Sequence, residues 1–213
     1  MGEEKKKLVW KGGNMLYPVP AVIVSCADRN GESNLFTVAW TGTVCTNPPM
    51  LSISVRPGRY SYHMLKETGE FVVNMTTEKL VRAADFCGVR SGRDMDKWEK
   101  CGLTRQDAAK VSVPLIAESP VNIECRVREV IPLGSHDLFL ADVLAVDVDP
   151  DLLDAKGKLC LETAKPAVYS HGEYYGLGKL LGTFGYSVKK KGNGRKKKGG
   201  KIEWKKNGAE TLH

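Results

Sequence analysis

NPPMLSISVRPGRYSYHMLKETGEFVVNM, residues 47–75, contains the pattern that decides the fold. Alternating apolar and polar residues predict a strand over Met50–Val55, and a glycine-containing loop with two arginines follows it. A short helix is predicted to begin at Ser61, and a second strand to run over Phe71–Met75. The stretch therefore predicts a strand that passes through a basic loop into a helix.

The basic loop is a candidate phosphate site. Arg56 and Arg59 flank Gly58, just before the predicted helix start at Ser61. Arginine can grip a phosphate with two parallel hydrogen bonds, and backbone N–H groups at a helix start point toward an anion. The alternative is that both arginines are solvated surface charges and that Ser61 only caps the helix. This stretch alone leaves both interpretations open.

The composition predicts one domain of ordinary size with a basic tail. The chain has 213 residues, 42% of them hydrophobic, which is enough for a substantial core. Its net charge is +7, but residues 187–213 carry ten Lys and Arg against two Glu, so the rest is close to neutral. We expect a domain over residues 1–186 and a flexible, Lys/Gly-rich tail over residues 187–213.

This charge distribution also bears on partners and location. The near-neutral domain has no basic footprint, so we do not expect nucleic acid to be its principal partner. The tail could still contact a polyanion through sequence-independent electrostatics. No apolar run is long enough to cross a membrane, and the first residues, MGEEKKKLVWKGG, lack a secretory segment. We therefore expect a cytoplasmic protein with no membrane association.

The cysteines favour packing over metal binding. The six are scattered, with no CxxC pair and no cluster with histidine. This spacing disfavours a zinc site and a disulfide framework, so we expect reduced thiols and no bound metal. Cys26 and Cys125 lie inside apolar alternating patterns and are expected to pack in the core.

Strand patterns outnumber helix patterns in the domain. Ala21–Cys26 and Leu35–Ala39 are separated by turn-forming residues and predict a hairpin, and Val121–Ile131 with Asp137–Val148 predicts a longer one. There is neither strand–helix alternation nor a GxGxxG motif. The predicted fold is therefore mainly β, a small antiparallel barrel.

Helical patterns are confined to three short places. They are Ser61–Thr68, the stretch that follows an N-cap at Thr77, and Asp96–Cys101. Helices this few and this short add to a barrel without changing its class.

Four segments, in this order, resemble the flavin reductase family, whose members have an FMN-binding split β-barrel of the Greek-key antiparallel type. The segments are YPVPAVIVS at 17–25 with DRNGESNLFTVAWTGTV behind it, the 47–75 block, SGRDMDKWEKCGL at 91–103 and GSHDLFLADV at 134–143. A flavoredoxin-like element, KPAVYSHGEYYGLGKLLG, extends the resemblance to about residue 185. The resemblance implies a homodimer with one FMN at each subunit interface.

The resemblance also implies which residues hold the cofactor. The flavin ring would lie along Thr37, Val38, Ala39, Trp40, Thr41, Gly42 and Thr43, where Gly42 permits a close approach of the ligand. The phosphate and ribityl chain would be held by Arg56, Arg59, Ser61 and Tyr62. Two further cofactor-binding candidates are Lys97, from this chain or from a partner subunit, and Tyr169, in a C-terminal aromatic cluster.

His136 is the catalytic candidate. It matches the histidine of the family's Gly-Asp-His motif, which lies beside the flavin and helps to receive the nicotinamide. In this chain Ser135 precedes the histidine, and Ala141 stands where the family has a glycine. These departures bear on the pyridine-nucleotide site rather than on the flavin site. The alternative is an ordinary polar residue in a hairpin turn.

The resemblance implies an FMN-binding oxidoreductase, with NADH or NADPH reducing the flavin and electrons passing to free flavin or another acceptor. One alternative is a flavoredoxin-type carrier that is reduced by a redox partner protein. Another is a barrel that binds a deazaflavin as cosubstrate. A third, of another class, is a polyanion or nucleic-acid binder that works through the basic tail.

Overall fold

A computed structural model describes residues 6–188. The chain divides into two compact units, residues 1–178 and residues 179–213. Of the second unit, residues 179–188 are described, and they end in a 3-10 turn over Tyr186–Val188. The predicted basic tail lies outside the described residues from residue 189 onward, so its flexibility and the boundary after residue 186 remain predictions. No helix within residues 6–188 is long and apolar enough to span a membrane.

The first unit consists mainly of strands. They are β1 (Val19–Pro20), β2 (Val22–Ala27), β3 (Ser33–Val38), β4 (Thr41–Thr46), β5 (Pro49–Val55), β6 (Glu70–Asn74), β7 (Arg105–Gln106), β8 (Leu115–Ile116), β9 (Val121–Pro132), β10 (Asp137–Val148), β11 (Ala167–Ser170) and β12 (Glu173–Gly176). The α-helices of the described part are α1 (Ser61–Thr68), α2 (Val81–Val89) and α3 (Lys97–Cys101). Short 3-10 turns cover Glu78–Leu80, Pro150–Leu152 and Leu161–Ala164.

The order of the strands requires the main sheet to close on itself. Seven antiparallel strands follow the order β3-β2-β6-β9-β10-β5-β4, so β3 and β4 lie at opposite edges. Only Ala39 and Trp40 separate these two strands in the chain. A flat sheet of this size would be about 29 Å wide, far beyond the reach of two residues, so the sheet must curl until β3 and β4 come together at this junction. There the Ser54 N–H donates to the Trp40 carbonyl at 2.9 Å.

Alternation along the strands fills the barrel. On β5, Leu51, Ile53 and Val55 are buried while the residues between them are partly exposed. They pack in one cluster with other buried residues of the barrel, which include Val24, Phe36, Phe71 and Phe139. Cys26 and Cys125 belong to this cluster, as predicted. The mainly β barrel and both predicted hairpins are confirmed, since β2 pairs with β3 and β9 with β10.

α2 and α3 pack against β2 and β3 apart from the barrel core, whereas Met64 and Leu65 of α1 belong to the core cluster itself. A second cluster joins α2 and α3 to the sheet through Ile23, Leu35, Cys87 and Trp98. Asp96 caps α3 by accepting hydrogen bonds from the N–H groups of Trp98 (2.8 Å) and Glu99 (3.4 Å). The helices predicted over Ser61–Thr68 and Asp96–Cys101 are therefore confirmed.

Thr77 occupies the predicted N-cap position, at the start of the 3-10 turn that leads directly into α2, but its side chain does not cap. Its side chain makes no capping hydrogen bond, and a 3-10 turn over Glu78–Leu80 separates it from α2. The reason is a tertiary contact, because Thr77 forms an isolated β-bridge with Pro166, next to the small sheet β1-β11-β12.

Candidate functional site

A groove lies where β3 passes into β4. Two adjoining cavities of about 730 and 920 Å³ form it, sizes typical of small-molecule sites. Three segments converge there, namely the β3–β4 junction, the loop after β5 and the turn between β9 and β10. The residues that line both cavities are Ala39, Trp40, Ser54, Arg56, Ser135 and His136.

One wall of the groove is the open edge of β4. β4 is an edge strand of the seven-stranded sheet, paired there only with β5. Since the Ser54 N–H donates to the Trp40 carbonyl, these two residues form a hydrogen-bonded pair of the antiparallel ladder. Alternation then turns the backbone N–H and C=O of Thr41 and Thr43 away from β5, toward the open edge. This edge can bind the polar rim of a ligand.

The other end of the groove is cationic. Arg59 Nη1 donates to the Gly88 carbonyl (2.9 Å), which anchors the guanidinium at the end of α2. Arg56 is exposed and makes no ion pair with any residue within 6–188. Burial lowers the pKa of His136, and the charges of Arg56 and Arg59 lower it further. The two guanidinium groups and His136 therefore interact electrostatically, and the positive charge of the arginines favours binding of an anion.

The composition of the groove fits a phosphorylated ligand. Neither cavity is lined by Asp or Glu within the described residues, so nothing there opposes a phosphate. Gly42 and Gly58 line the groove, and a Cβ at either would enter open space. Both glycines thus leave room for a ligand close to the backbone. In the described part of the chain, no group of three or more His, Cys, Asp or Glu is placed to hold a metal ion.

A family model described as a flavin reductase like domain matches residues 14–178. The chain belongs to the flavin reductase family. The solved structure of a flavoredoxin from Desulfovibrio vulgaris (Miyazaki F) is similar to this one, with a TM-score of 0.81 and 29% identity, covering 86% of this chain and 100% of the other. An uncharacterized protein of Archaeoglobus fulgidus is 34% identical over 142 residues, 66% of this chain and 78% of the relative.

This flavin reductase family member also has a more distant relative in Rhizobium. The reductase component of an FADH(2)-dependent resorcinol hydroxylase from Rhizobium sp. (strain MTP-10005) is 24% identical over 154 residues, 72% of this chain and 76% of the relative. Together these matches confirm the predicted family and the split-barrel fold. The homodimer remains a prediction.

The structure of this flavin reductase family member brings most of the predicted site residues together. Five residues of the predicted ring segment line the groove with the two arginines and His136, and they are Ala39, Trp40, Thr41, Gly42 and Thr43. Thr37 and Val38 line it too, but their side chains are engaged elsewhere. The Thr37 hydroxyl donates to the Ala84 carbonyl, and Val38 packs in the barrel core.

Two predicted residues border a smaller cavity of about 170 Å³ that adjoins the groove at Arg59. Ser61 is buried and its Oγ accepts a hydrogen bond from Asn34 Nδ2 at 2.8 Å, so it is not the helix cap. Lys97 is 3% exposed. Its Nζ donates to the carbonyls of Leu35 (2.8 Å) and Cys87 (3.0 Å). Lys97 thus reaches this cavity from the same chain, and burial lowers its pKa.

Tyr62 and Tyr169 do not line the groove. Tyr62 donates to Asp137 Oδ2 at 2.5 Å and packs edge-on against Phe139, at the end of the barrel core. Tyr169 lies behind Tyr17, whose ring is 6.0 Å from both Tyr169 and Trp40. Tyr17 therefore links Tyr169 to Trp40, and neither tyrosine lines the two cavities of the groove.

Sequence reasoning missed several lining residues. Phe36 and Ser54 lie on predicted strands, and the alternation of β5 could have placed Ser54 opposite the buried face. Met15 and Leu16 also line the larger cavity, but no periodic pattern marks their segment.

Proposed function

We propose that this flavin reductase family member binds FMN in the groove and is an NAD(P)H-dependent flavin oxidoreductase. It would pass electrons on to free flavin or another acceptor. The observation that carries the proposal is the groove itself, with two arginines at one end, an open strand edge along its wall and no carboxylate among its described lining residues.

The basic loop would hold the phosphate of FMN. Arg56 has no competing anion among the described residues, and Arg59 is oriented by the Gly88 carbonyl. Gly58 between them lets the backbone approach the phosphate closely. A doubly charged phosphate is best held by paired cations of this kind.

The edge of β4 would hold the flavin ring. The N–H and C=O groups of Thr41 and Thr43 can bond to the polar rim, and Trp40 supplies apolar surface beside it. Bound FMN would supply the hydride-accepting chemistry, and hydrogen bonds from the protein would tune it.

His136 would help to position the hydride donor. Burial and then the two arginines lower its pKa, which favours the neutral imidazole. Ser135 Oγ lies 2.9 Å from its Nδ1, which leaves Nε2 for a ligand. A neutral imidazole can bond to the carboxamide of a nicotinamide without repelling it or adding charge to the site.

A flavoredoxin-type electron carrier is the second candidate. Ser135 and Ala141 depart from the family's nicotinamide motif, and the flavoredoxin of Desulfovibrio vulgaris is 29% identical to this chain. A carrier would use the same groove but receive electrons from a partner protein. Binding of polyanions by the basic tail stays a separate prediction.

We further propose a cytoplasmic homodimer. In the segment before β1, Leu8, Val9 and Trp10 are between 73% and 98% exposed, more apolar surface than a short arm in water favours. A second subunit would cover such surface.

The relative named as a reductase component supports a redox partner protein for this chain also.

Anaerobic reduction tests the proposal. The FMN-loaded protein is mixed with NADH or NADPH in a stopped-flow instrument, and bleaching of the flavin is followed. A reductase bleaches within seconds with at least one nucleotide. FMN binding without reduction by either nucleotide would favour the carrier, and absence of FMN binding would refute both candidates.

A further inference from the structure

Two cysteines of neighbouring helices have their sulfur atoms in contact. Cys87 lies in the last turn of α2, and Cys101 is the last residue of α3. Their Sγ atoms are 3.9 Å apart, and no other two cysteines within residues 6–188 hydrogen-bond to each other. Because a disulfide has an S–S distance of about 2.05 Å, the sulfurs need to approach by about 1.9 Å. Shifts at the ends of two short helices can supply this movement.

The two thiols differ in access and in chemistry. Cys87 is 0% exposed, whereas Cys101 is half-buried, so an oxidant from solution reaches Cys101 first. Burial raises the pKa of both thiols, that of Cys87 to about 12. At Cys101, the hydrogen bond with Cys87 and then the charge of Lys97 act against burial and favour the thiolate. The thiolate is the form that attacks an oxidant, so Cys101 is the attacking thiol and Cys87 the resolving one.

The turn of α2 that contains Cys87 also orients a residue of the groove. The Cys87 carbonyl accepts from Lys97 Nζ (3.0 Å), and the next carbonyl, that of Gly88, accepts from Arg59 Nη1 (2.9 Å). A Cβ added at Gly88 would lie 3.4 Å from Thr37 Cβ, so this turn lies close against β3. Since it is held so closely, a shift of Cys87 toward α3 also displaces the Gly88 carbonyl and the guanidinium bonded to it.

We infer that hydrogen peroxide joins Cys87 and Cys101 in a reversible disulfide, and that this bond weakens the contact of Arg59 with the flavin phosphate. The Cys101 sulfur first attacks the peroxide. The O–O bond breaks, Cys101 becomes a sulfenic acid and one water is released. The Cys87 sulfur then attacks the Cys101 sulfur, the S–O bond breaks, and the departing hydroxide takes the proton of the Cys87 thiol to form a second water. The two thiols together lose two electrons and two protons, and the peroxide is reduced to two waters.

The disulfide itself is independent of the flavin, but its effect on FMN rests on the proposed function. If the displaced Arg59 loses its bond to the phosphate, FMN affinity should fall about tenfold, while riboflavin, which has no phosphate, should be unaffected. In a reducing compartment a disulfide of this kind is usually transient and redox-sensing. The pair would therefore lower cofactor affinity under oxidative conditions and restore it when a dithiol reductant opens the bond.

Peroxide treatment of the full chain tests the inference. The protein is reduced, freed of reductant and treated with hydrogen peroxide, after which free thiols are alkylated and peptides are identified by mass spectrometry. Wild type should yield a cross-linked peptide that contains Cys87 and Cys101. Its FMN dissociation constant should rise about tenfold and its riboflavin dissociation constant less than about twofold. Dithiothreitol should remove the cross-link and restore FMN affinity.

Two variants complete the test. Cys101→Ser lacks the attacking thiol, so it should form no cross-link and keep its FMN affinity after peroxide. Cys160→Ser is the matched control, because Cys160 is also half-buried and its Sγ bonds to the Lys158 carbonyl (3.7 Å) rather than to a cysteine. This control should behave like wild type. Thermal melts of the reduced proteins should coincide, and Cys87→Ser gives the same test should Cys101→Ser fail to fold.

Each other outcome has a definite meaning. Absence of the Cys87–Cys101 peptide from oxidised wild type would overturn the inference. So would an equal loss of FMN affinity in Cys101→Ser, or a cross-link that leaves FMN affinity unchanged. Reduced wild type that binds no FMN would refute the proposed function, and the cross-linked peptide would then still decide whether the two cysteines are a redox pair.

Discussion

Replacement by Ala of Arg56, of Arg59 and of both together tests the phosphate end of the groove. Arg56 is exposed, lines both cavities and makes no ion pair within the described chain, so its loss should leave the fold intact. Arg59 differs because its Nη1 also donates to the Gly88 carbonyl (2.9 Å), so its removal also loosens a contact with α2.

The expected magnitude follows from the strength of these bonds. A hydrogen bond to a charged group contributes about 1.5–3 kcal/mol, and exposure of both side chains favours the lower end. Because about 1.4 kcal/mol corresponds to a tenfold change in affinity, each single variant should bind FMN about tenfold more weakly. The double variant should bind it about a hundredfold more weakly, if the two contributions are independent.

Flavin fluorescence titration measures these affinities, and riboflavin is the matched ligand. Riboflavin lacks the phosphate, so its dissociation constant should be the same in wild type and in all three variants. The thermal melt of Arg56→Ala should also coincide with that of wild type, since its guanidinium does not pack in the core, whereas Arg59→Ala loses the hydrogen bond to Gly88. An unchanged FMN affinity in the double variant, or an equal weakening of riboflavin, would refute the assignment of the arginines to the phosphate.

Three further predictions concern the hydride donor, the barrel and the tail. His136→Ala should leave FMN affinity and the visible spectrum unchanged while slowing anaerobic flavin reduction by about ten- to a thousandfold, or about 1.4–4 kcal/mol; equal stopped-flow rates would remove His136 from the mechanism. Burial, and then the neighbouring Glu124, raises the pKa of Asp147 from 3.8, so the protonated form is favoured on folding and stability is lost as pH rises through the raised pKa. Asp147→Asn should therefore raise the melting temperature at neutral pH and not below pH 3.8, and an equal shift at both pH values would contradict this. Truncation after Tyr186 should leave flavin binding and reduction unchanged while weakening retention on a polyanion column, and loss of bound FMN would place the tail in the site.

The sequence predicted the elements around the site well because their patterns are local. The alternation of residues 50–55 is the alternation of β5, and the helix beginning at Ser61 follows from the change of period after the loop. Four ordered motifs identified the family, which the match over residues 14–178 confirms. These signals do not depend on knowing which strands are neighbours.

Side-chain directions were harder to predict because they depend on tertiary packing. Tyr62 follows the basic loop closely in sequence, yet its hydroxyl bonds to Asp137, far along the chain. In the sequence Lys97 resembles an ordinary lysine of a surface helix. Its ammonium is buried because β3 packs beside α2, and the carbonyls of Leu35 and Cys87 accept its hydrogen bonds. Thr77 is the predicted N-cap residue, but its side chain makes no capping hydrogen bond, and only the fold reveals its β-bridge to Pro166.

The visible absorbance spectrum of the purified protein, followed by heat release and identification of the bound molecule, tests the central claim most directly. If the groove is a flavin site, the protein shows the two bands of an oxidised flavin, or gains them on titration with FMN to one equivalent per chain. The released molecule is then FMN or FAD. A colourless protein that does not perturb the spectrum of added FMN or FAD would contradict the account.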